Sequence, residues 1–260
     1  YKRQVINMTG NVIENNTIGI LFYECNNSYA IHLNATKNSR AGIEIFQTSY
    51  LTLENVWVRE NKAGLYFNTS QNNTAVKLHT INNTGEEIYF HSSKDNIIVD
   101  SVIINNVTGN DTLSAAVSRN ILLNTTLNTS RLGFADSYSN ISRQWYLTFY
   151  VLDNESIPVA DANVSLNDTL GSNYTGLTDR YAYAYFNLTE FRETSAGKTY
   201  YSNYTWNITK KGYMSNTSMV NMSRNRNINV TINLLGGIPD TEPPTTPIVY
   251  DGYDYIDYDW

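Results

Sequence analysis

An asparagine returns along the first half of this chain at a nearly fixed interval: Asn16, Asn38, Asn61, Asn83, Asn106 and Asn128, in steps of 22, 23, 22, 23 and 22 residues. A short alternating apolar stretch follows most of them, with Ile20 and Phe22, Ile43 and Ile45, Leu65 and Phe67, and Ile88 and Phe90. So short a period, filled with strand-like pieces and turn residues, predicts a solenoid of stacked β coils. One coil of about 22 residues cannot bury its apolar face alone, so like residues stack on like in parallel strands roughly 4.8 Å apart. The asparagine is expected at a turn, because Asn tolerates left-handed backbone and its amide can bond the coils above and below. Gly19, Gly42 and Gly64 follow at the same turn and are expected to supply positive φ. Six coils imply a rod of roughly 30 Å. The sixth coil is irregular, since Gly109-Asn110-Asp111-Thr112 interrupts it.

Across roughly residues 5–140 this repeat resembles the right-handed parallel β-helix repeats of NosD-like and pectate-lyase-like surface proteins. The resemblance implies the fold and leaves the activity open, because one scaffold hosts many functions.

Near residue 144 the period stops and longer alternating strands begin. Trp145, Leu147, Phe149 and Val151 share one face, and Tyr146, Thr148 and Tyr150 the other. Ala162/Val164/Leu166, Tyr181 to Phe186, Tyr204/Trp206/Ile208 and Ile228/Val230/Ile232/Leu234 continue the pattern. Such strands, divided by turn residues, predict an antiparallel β-sandwich. The segments Val151-Leu152-Asp153, Ile157 to Val164, Thr175-Gly176-Leu177-Thr178-Asp179 and Lys210-Lys211-Gly212-Tyr213 resemble the carboxypeptidase-regulatory-like (transthyretin-like) module, a non-catalytic companion in surface proteins. Arg180 stands where that family places a glycine, so the turn there is expected to differ. After Gly237, three prolines within five residues form a stiff linker that resembles the entry to a fibronectin type III-like domain. The expected organisation is all-β: a parallel β-helix over 1–143, a β-sandwich over 144–236, and over 237–260 a linker with the start of a further domain.

Composition points outside the cell. The chain has 36 Asn and 49 Ser plus Thr, and 22 Asn-X-Ser/Thr sequons. Random placement would give about 7, so the excess points to N-glycosylation. Asn163 and Asn167 alternate with Val164 and Leu166, Asn203 and Asn207 with Tyr204 and Trp206, and Asn229 lies between Ile228 and Val230. Alternation turns these acceptors to water if the apolar set faces the core. The expected acceptors are Asn7, Asn15, Asn163, Asn167, Asn173, Asn187, Asn203, Asn207, Asn216, Asn221 and Asn229. Asn106 and Asn128 are also sequons, but their place in the ladder predicts burial without sugar.

The single cysteine, Cys25, excludes an intramolecular disulfide and reads as a small core residue rather than a reactive thiol. Sequons without disulfides suggest an archaeal envelope protein. The sequence has no apolar run long enough for a spanning helix, and it begins at Tyr1, as a processed or excised piece would. Residues 1–239 carry 18 acidic and 18 basic residues, so the net charge of −6 lies wholly in the tail. That balance offers no basic field for nucleic acid. In the tail, Asp251, Asp254, Asp257 and Asp259 are weak Ca²⁺ candidates without EF-hand spacing, and a solvated acidic edge explains them better.

Parallel β-helices can host polysaccharide lyases, hydrolases and epimerases, which need clustered carboxylates with a base or metal. Residues 1–143 hold only Asp95, Asp100, Asp111 and Asp136, none repeating at the coil period, and Glu44, Glu60 and Glu87 are scattered in phase. The three histidines also fall out of phase. No catalytic set or cofactor is expected. The 21 tyrosines admit another role: Tyr181, Tyr183 and Tyr185 share a strand face and could bind sugars or neighbouring subunits if they point outward, or form core if they point inward. The expected function is structural, as an N-glycosylated subunit of a surface layer, sheath, filament or adhesin. It would assemble with its own copies or other envelope proteins, with Ile248 to Trp260 able to add a strand to an exposed edge. A carbohydrate-active or carbohydrate-binding β-helix protein is the alternative.

Overall fold

The computed structural model describes residues 4–7 as backbone, and 12–107 and 112–235 in full. Every element is a strand. The coiled part comprises β1 (Gln4–Asn7), β2 (Ile13–Glu14), β3 (Ile18–Tyr23), β4 (Ser28–Ile31), β5 (Asn34–Thr36), β6 (Ala41–Phe46), β7 (Thr52–Arg59) and β8 (Ala63–Asn68). It continues through β9 (Thr74–Ile81), β10 (Ile88–His91), β11 (Lys94–Val99), β12 (Val102–Ile104), β13 (Leu113–Ala116), β14 (Arg119–Leu123) and β15 (Leu132–Phe134). Then come β16 (Asn140–Leu152), β17 (Asn163–Asn167), β18 (Asn173–Leu177), β19 (Tyr183–Thr194), β20 (Gly197–Tyr200), β21 (Tyr204–Thr209), β22 (Asn216–Val220) and β23 (Arg226–Thr231).

The chain forms a β-solenoid of about six turns. One wall is the parallel sheet β3-β6-β8-β10-β13-β15, and the facing wall runs β1-β4-β7-β9-β11-β14-β16. Register follows the sequence period: Ile20, Ile43, Leu65 and Ile88 pair in one row, and Phe22, Ile45, Phe67 and Phe90 in the next. The last three residues of each row are fully buried, and Phe67 stacks on Phe90 with centroids 4.8 Å apart. Each such burial contributes roughly 1.5–3 kcal/mol.

The corners of the coil are held by polar columns. Asn38 donates its side-chain amide to Asn61 Oδ1 at 2.9 Å, and Asn61 to Asn83 Oδ1 at 3.0 Å. The same oxygens accept the backbone N–H groups of Asn38 and Asn61, and Asn38 Oδ1 accepts that of Asn16. The column ends on Glu87, whose carboxylate accepts both the backbone and the side-chain N–H of Asn83. A second column, Asn73 to Asn96 to Asn120, repeats the arrangement at 2.9 Å per step. A third uses hydroxyls: the backbone N–H groups of Cys25, Thr48, Ser70, Ser93 and Ser118 each donate to the hydroxyl one coil on, at Thr48, Ser70, Ser93, Ser118 and Ser139.

Three expectations about the ladder need correction. Asn106 and Asn128 are not rungs. With Glu87 in the next rung, Asn105 is the buried residue, while Asn106 is exposed and bonds Asn82 Oδ1 at 2.9 Å. Asn128 is exposed and accepts from Ser130. The left-handed position belongs to the residue before each rung, Lys37, Glu60 and Asn82, with φ of 54°, 55° and 55°. Nor do Gly19, Gly42 and Gly64 supply positive φ, since they lie within strands. They make room for the amides: a Cβ at Gly42 would meet Asn61 Nδ2 at 2.7 Å, and at Gly64 Asn83 Nδ2 at 2.8 Å.

β16 crosses position 144 without a break. Its first residues pair in parallel with β14, and it then pairs antiparallel with β19 and parallel with β23. A four-stranded antiparallel sheet, β18-β17-β21-β22, supplies the other side of a second core. Trp145, Leu147, Phe149 and Val151 meet Val164, Leu166, Tyr204, Trp206 and Ile208 there. The face alternation read from sequence holds, but the pairing is not wholly antiparallel. β23 returns beside β16 only after the chain has crossed through the opposite sheet, and a long crossover of that kind permits a parallel pair.

Replacing Asn61 with Ala removes the acceptor of two Asn38 donors and the donor to the Ala35 and Arg59 carbonyls. Leaving several of these buried groups unpaired at about 1–3 kcal/mol each is expected to cost on the order of 4 kcal/mol in urea unfolding. Asn227→Ala at an exposed position should change stability by less than about 0.5 kcal/mol.

Candidate functional site

The sequon asparagines are the first candidate. Asn7 and Asn110 have no described side chain, and none of the other 20 is buried. Among the described residues seven asparagines are buried, Asn38, Asn61, Asn73, Asn83, Asn96, Asn105 and Asn120, and all lie outside sequons. For the second column packing explains this, because the residue two places on is core: Ala75, Ile98 or Leu122. For the first it does not, since Arg40, Ala63 and Gly85 are at least partly exposed. Asn15, Asn163, Asn167, Asn173, Asn187, Asn203, Asn221 and Asn229 are exposed, and Asn207 and Asn216 half-buried. Asn106 and Asn128, expected to be buried, are open to solvent.

The second candidate is a tyrosine face on the outer side of β23-β16-β19. Tyr146 pairs with Asn187, Thr148 with Tyr185 and Tyr150 with Tyr183, while Thr148 and Tyr150 pair on their other side with Asn227 and Asn229. The opposite side of these strands is core, with Ala184 and Leu188 buried. The tyrosines therefore point outward, which resolves the alternative that the sequence left open. Tyr183 stacks on Tyr150 with centroids 4.7 Å apart and on Tyr185 at 6.1 Å. Tyr185 is 66% exposed. Burial raises the Tyr146 phenol above its ordinary range, and the nearby Asp100 carboxylate adds to this.

The solenoid has outward aromatic pairs of its own. Tyr66 stacks on Tyr89 at 5.1 Å, and Trp57 on His79 at 4.2 Å. Beside Tyr66, the buried Glu44 accepts from Arg40 at 3.1 Å and from Asn68 at 3.2 Å.

The acidic side chains hold structure. Asp153, Asp168 and Asp179 each accept the backbone N–H groups two and four residues ahead, closing turns. Asp136 accepts from Val117, Tyr138 and Ser139, and these bonds, led by that from Val117, hold its carboxyl below the usual range. Thr178 ties Val159 to Ala162, so several residues of the module-like motifs are turn staples. In the turn that follows Arg180, positive φ falls on Ala182, at 67°. Cys25 is half-buried against the solenoid core. The Ca²⁺ candidates Asp251, Asp254, Asp257 and Asp259, and the linker over 237–260, lie outside the described residues.

Glu87 is the perturbed group. Burial pushes its carboxyl up to about 7, against the opposing pull of the bonds from Asn83. It caps a polar column.

These features define an all-β solenoid protein with an outward tyrosine face. Residues 1–176 match the family described as periplasmic copper-binding protein (NosD), and the chain belongs to that family. No curated protein matches the sequence. Among solved structures, the periplasmic alginate epimerase AlgG is 12% identical over 51% of this chain and 39% of its own, with a TM-score of 0.40. The tailspike protein 2 enzymatic domain of bacteriophage CBA120 is 7% identical over 79% of this chain and 54% of its own, at 0.37. The Bacillus anthracis TIE protein is 16% identical over 42% of this chain and 19% of its own, at 0.30. The chain thus spans less than two-thirds of each of these proteins. None of these likenesses transfers an activity.

The family description names copper. Among the described residues no group of three or more His, Cys, Asp or Glu could hold a metal ion. His79 is occupied in a ring stack with Trp57, and His91 lies on the other wall. These residues therefore supply no donor set that fits a copper centre.

The raised Glu87 pKa has a definite sign. The folded state holds this proton to about pH 7, whereas a free glutamate loses it near 4.5. Its contribution to stability is therefore fully present below pH 4.5 and is lost progressively as pH rises to about 7. Melting temperature measured across that window should fall less steeply in Glu87→Gln than in the native chain.

Proposed function

We propose that this chain is a non-catalytic, N-glycosylated structural protein of the cell envelope, of the kind that builds surface layers, sheaths, filaments or adhesins. The observation that carries the reading is the separation of the asparagines: every buried one stands outside a sequon, and every described sequon asparagine reaches solvent. A chain modified on asparagine must keep acceptors and core rungs apart, and this one does. The structural duties of Asp136, Asp153, Asp168, Asp179 and Glu87 favour a scaffold over an enzyme. The second half reads as a carboxypeptidase-regulatory-like sandwich, since Thr178 and Asp179 of that motif set its turns. Sequons without disulfides suggest an archaeal surface, with assembly into an array through copies of the chain or other envelope proteins.

A carbohydrate-binding solenoid is the second reading, favoured by the stacked Tyr66 and Tyr89 beside Glu44 and Asn68. Glycopeptide mass spectrometry of the native protein tests the first. Glycans are expected at Asn163, Asn203, Asn207 and Asn229, and bare asparagines at all four would reject the reading.

A further inference from the structure

We propose that N-linked glycans on Asn187 and Asn229 fold back onto the outward tyrosine face of β23-β16-β19 and cover it. This rests on the glycosylation reading above and adds a binding surface to it. The two acceptors occupy opposite corners of one grid: Asn187 beside Tyr146 at one end, Asn229 beside Tyr150 at the other. Tyr185 lies two residues before Asn187 on the same strand face. Directly opposed residues on one face have Cβ atoms about 4.5–5.5 Å apart, so the first sugars start within reach of the rings.

The chemistry of the face suits a saccharide. The C–H side of a pyranose ring is apolar and slightly positive, and it packs on the negative face of an aromatic ring. Tyr185, the exposed end of the Tyr150-Tyr183-Tyr185 stack, offers such a face. Phenol hydroxyls, Thr148 and Asn227 provide hydrogen-bond partners for the sugar's rim. The grid's own residues include no Lys, Arg, Asp or Glu, and the Asp100 carboxylate lies beside it at Tyr146. Tethering supplies a high effective concentration, which lets individually weak stacking contacts persist. A second copy of the chain would have to displace both corner glycans to seat on the face. The pairing recurs where Asn34 lies beside the exposed Trp57 in register, and where Asn68 follows Tyr66 on one strand face.

The test compares the native glycoprotein with the Asn187→Gln/Asn229→Gln double variant, after glycopeptide mass spectrometry has recorded occupancy at both positions. Tyrosines are acylated with N-acetylimidazole and their rates read by peptide mass spectrometry. Tyr185 is expected to react about two- to tenfold more slowly in the glycoprotein, the range one aromatic stacking contact supports. Tyr50, exposed on the solenoid, should react equally in both. Equal Tyr185 rates with both glycans present overturn the proposal and leave glycosylation standing. Bare Asn187 and Asn229 overturn the proposal, and the glycosylation reading falls with it only if Asn163, Asn203 and Asn207 are bare as well. Protection of Tyr185 in both proteins, with a dimer by light scattering, overturns it in favour of a second copy.

Discussion

Side-chain oxygens that accept the corner N–H groups of the preceding coil tie this solenoid together. A coil that turns sharply at left-handed residues such as Lys37, Glu60 and Asn82 leaves backbone donors pointing along the stack. Buried and unpaired, each would cost about 1–3 kcal/mol. The asparagine columns through Asn61 and Asn96, and the hydroxyl column through Ser70 and Ser93, accept those donors one coil away. A slip of one residue would orphan whole columns at once and turn each apolar row away from the core, so the columns and the alternating core fix register together. They also bear on the glycines, because the amides of Asn61 and Asn83, with the Val58 side chain at Gly42 and the Glu87 carbonyl at Gly64, occupy the space a side chain would need.

That constraint divides the asparagines into two populations. Those in columns are committed to the core, and the described sequon asparagines outside them stay open to solvent. The functional reading follows from that division rather than from any cluster of reactive groups. Glu87 illustrates the point: burial perturbs its carboxyl strongly, yet it ends a polar column. Its perturbation reports where an amide stack terminates, not where chemistry occurs.

Much of the solenoid was legible in the sequence, because the period of 22 or 23 residues directly encodes stacking. Asn38, Asn61 and Asn83 were readable as rungs for that reason. Asn106 was misread because Glu87 takes the next rung and shifts the following coil, which the spacing does not reveal. The second column hid behind tandem pairs such as Asn72-Asn73, although its steps of 23 and 24 residues would have exposed it. The hydroxyl column is nearly invisible in a chain so rich in Ser and Thr. In the second half, alternation gave the buried faces of β16 and β21 but not the direction of β23, which depends on a crossover between sheets. The outward tyrosines could not be settled from one strand, since Tyr and Ala alternate there and only the packing of β17 and β21 chooses between them.

The columns can be tested through their donors. The backbone amides of Asn38, Asn61, Thr48, Ser70 and Ser93 donate to side chains one coil away rather than to a strand partner. Native-state hydrogen exchange, resolved to single residues, should find them protected as strongly as the strand amides of β6 and β8. Exchange at these five positions as fast as at open turns would contradict the account.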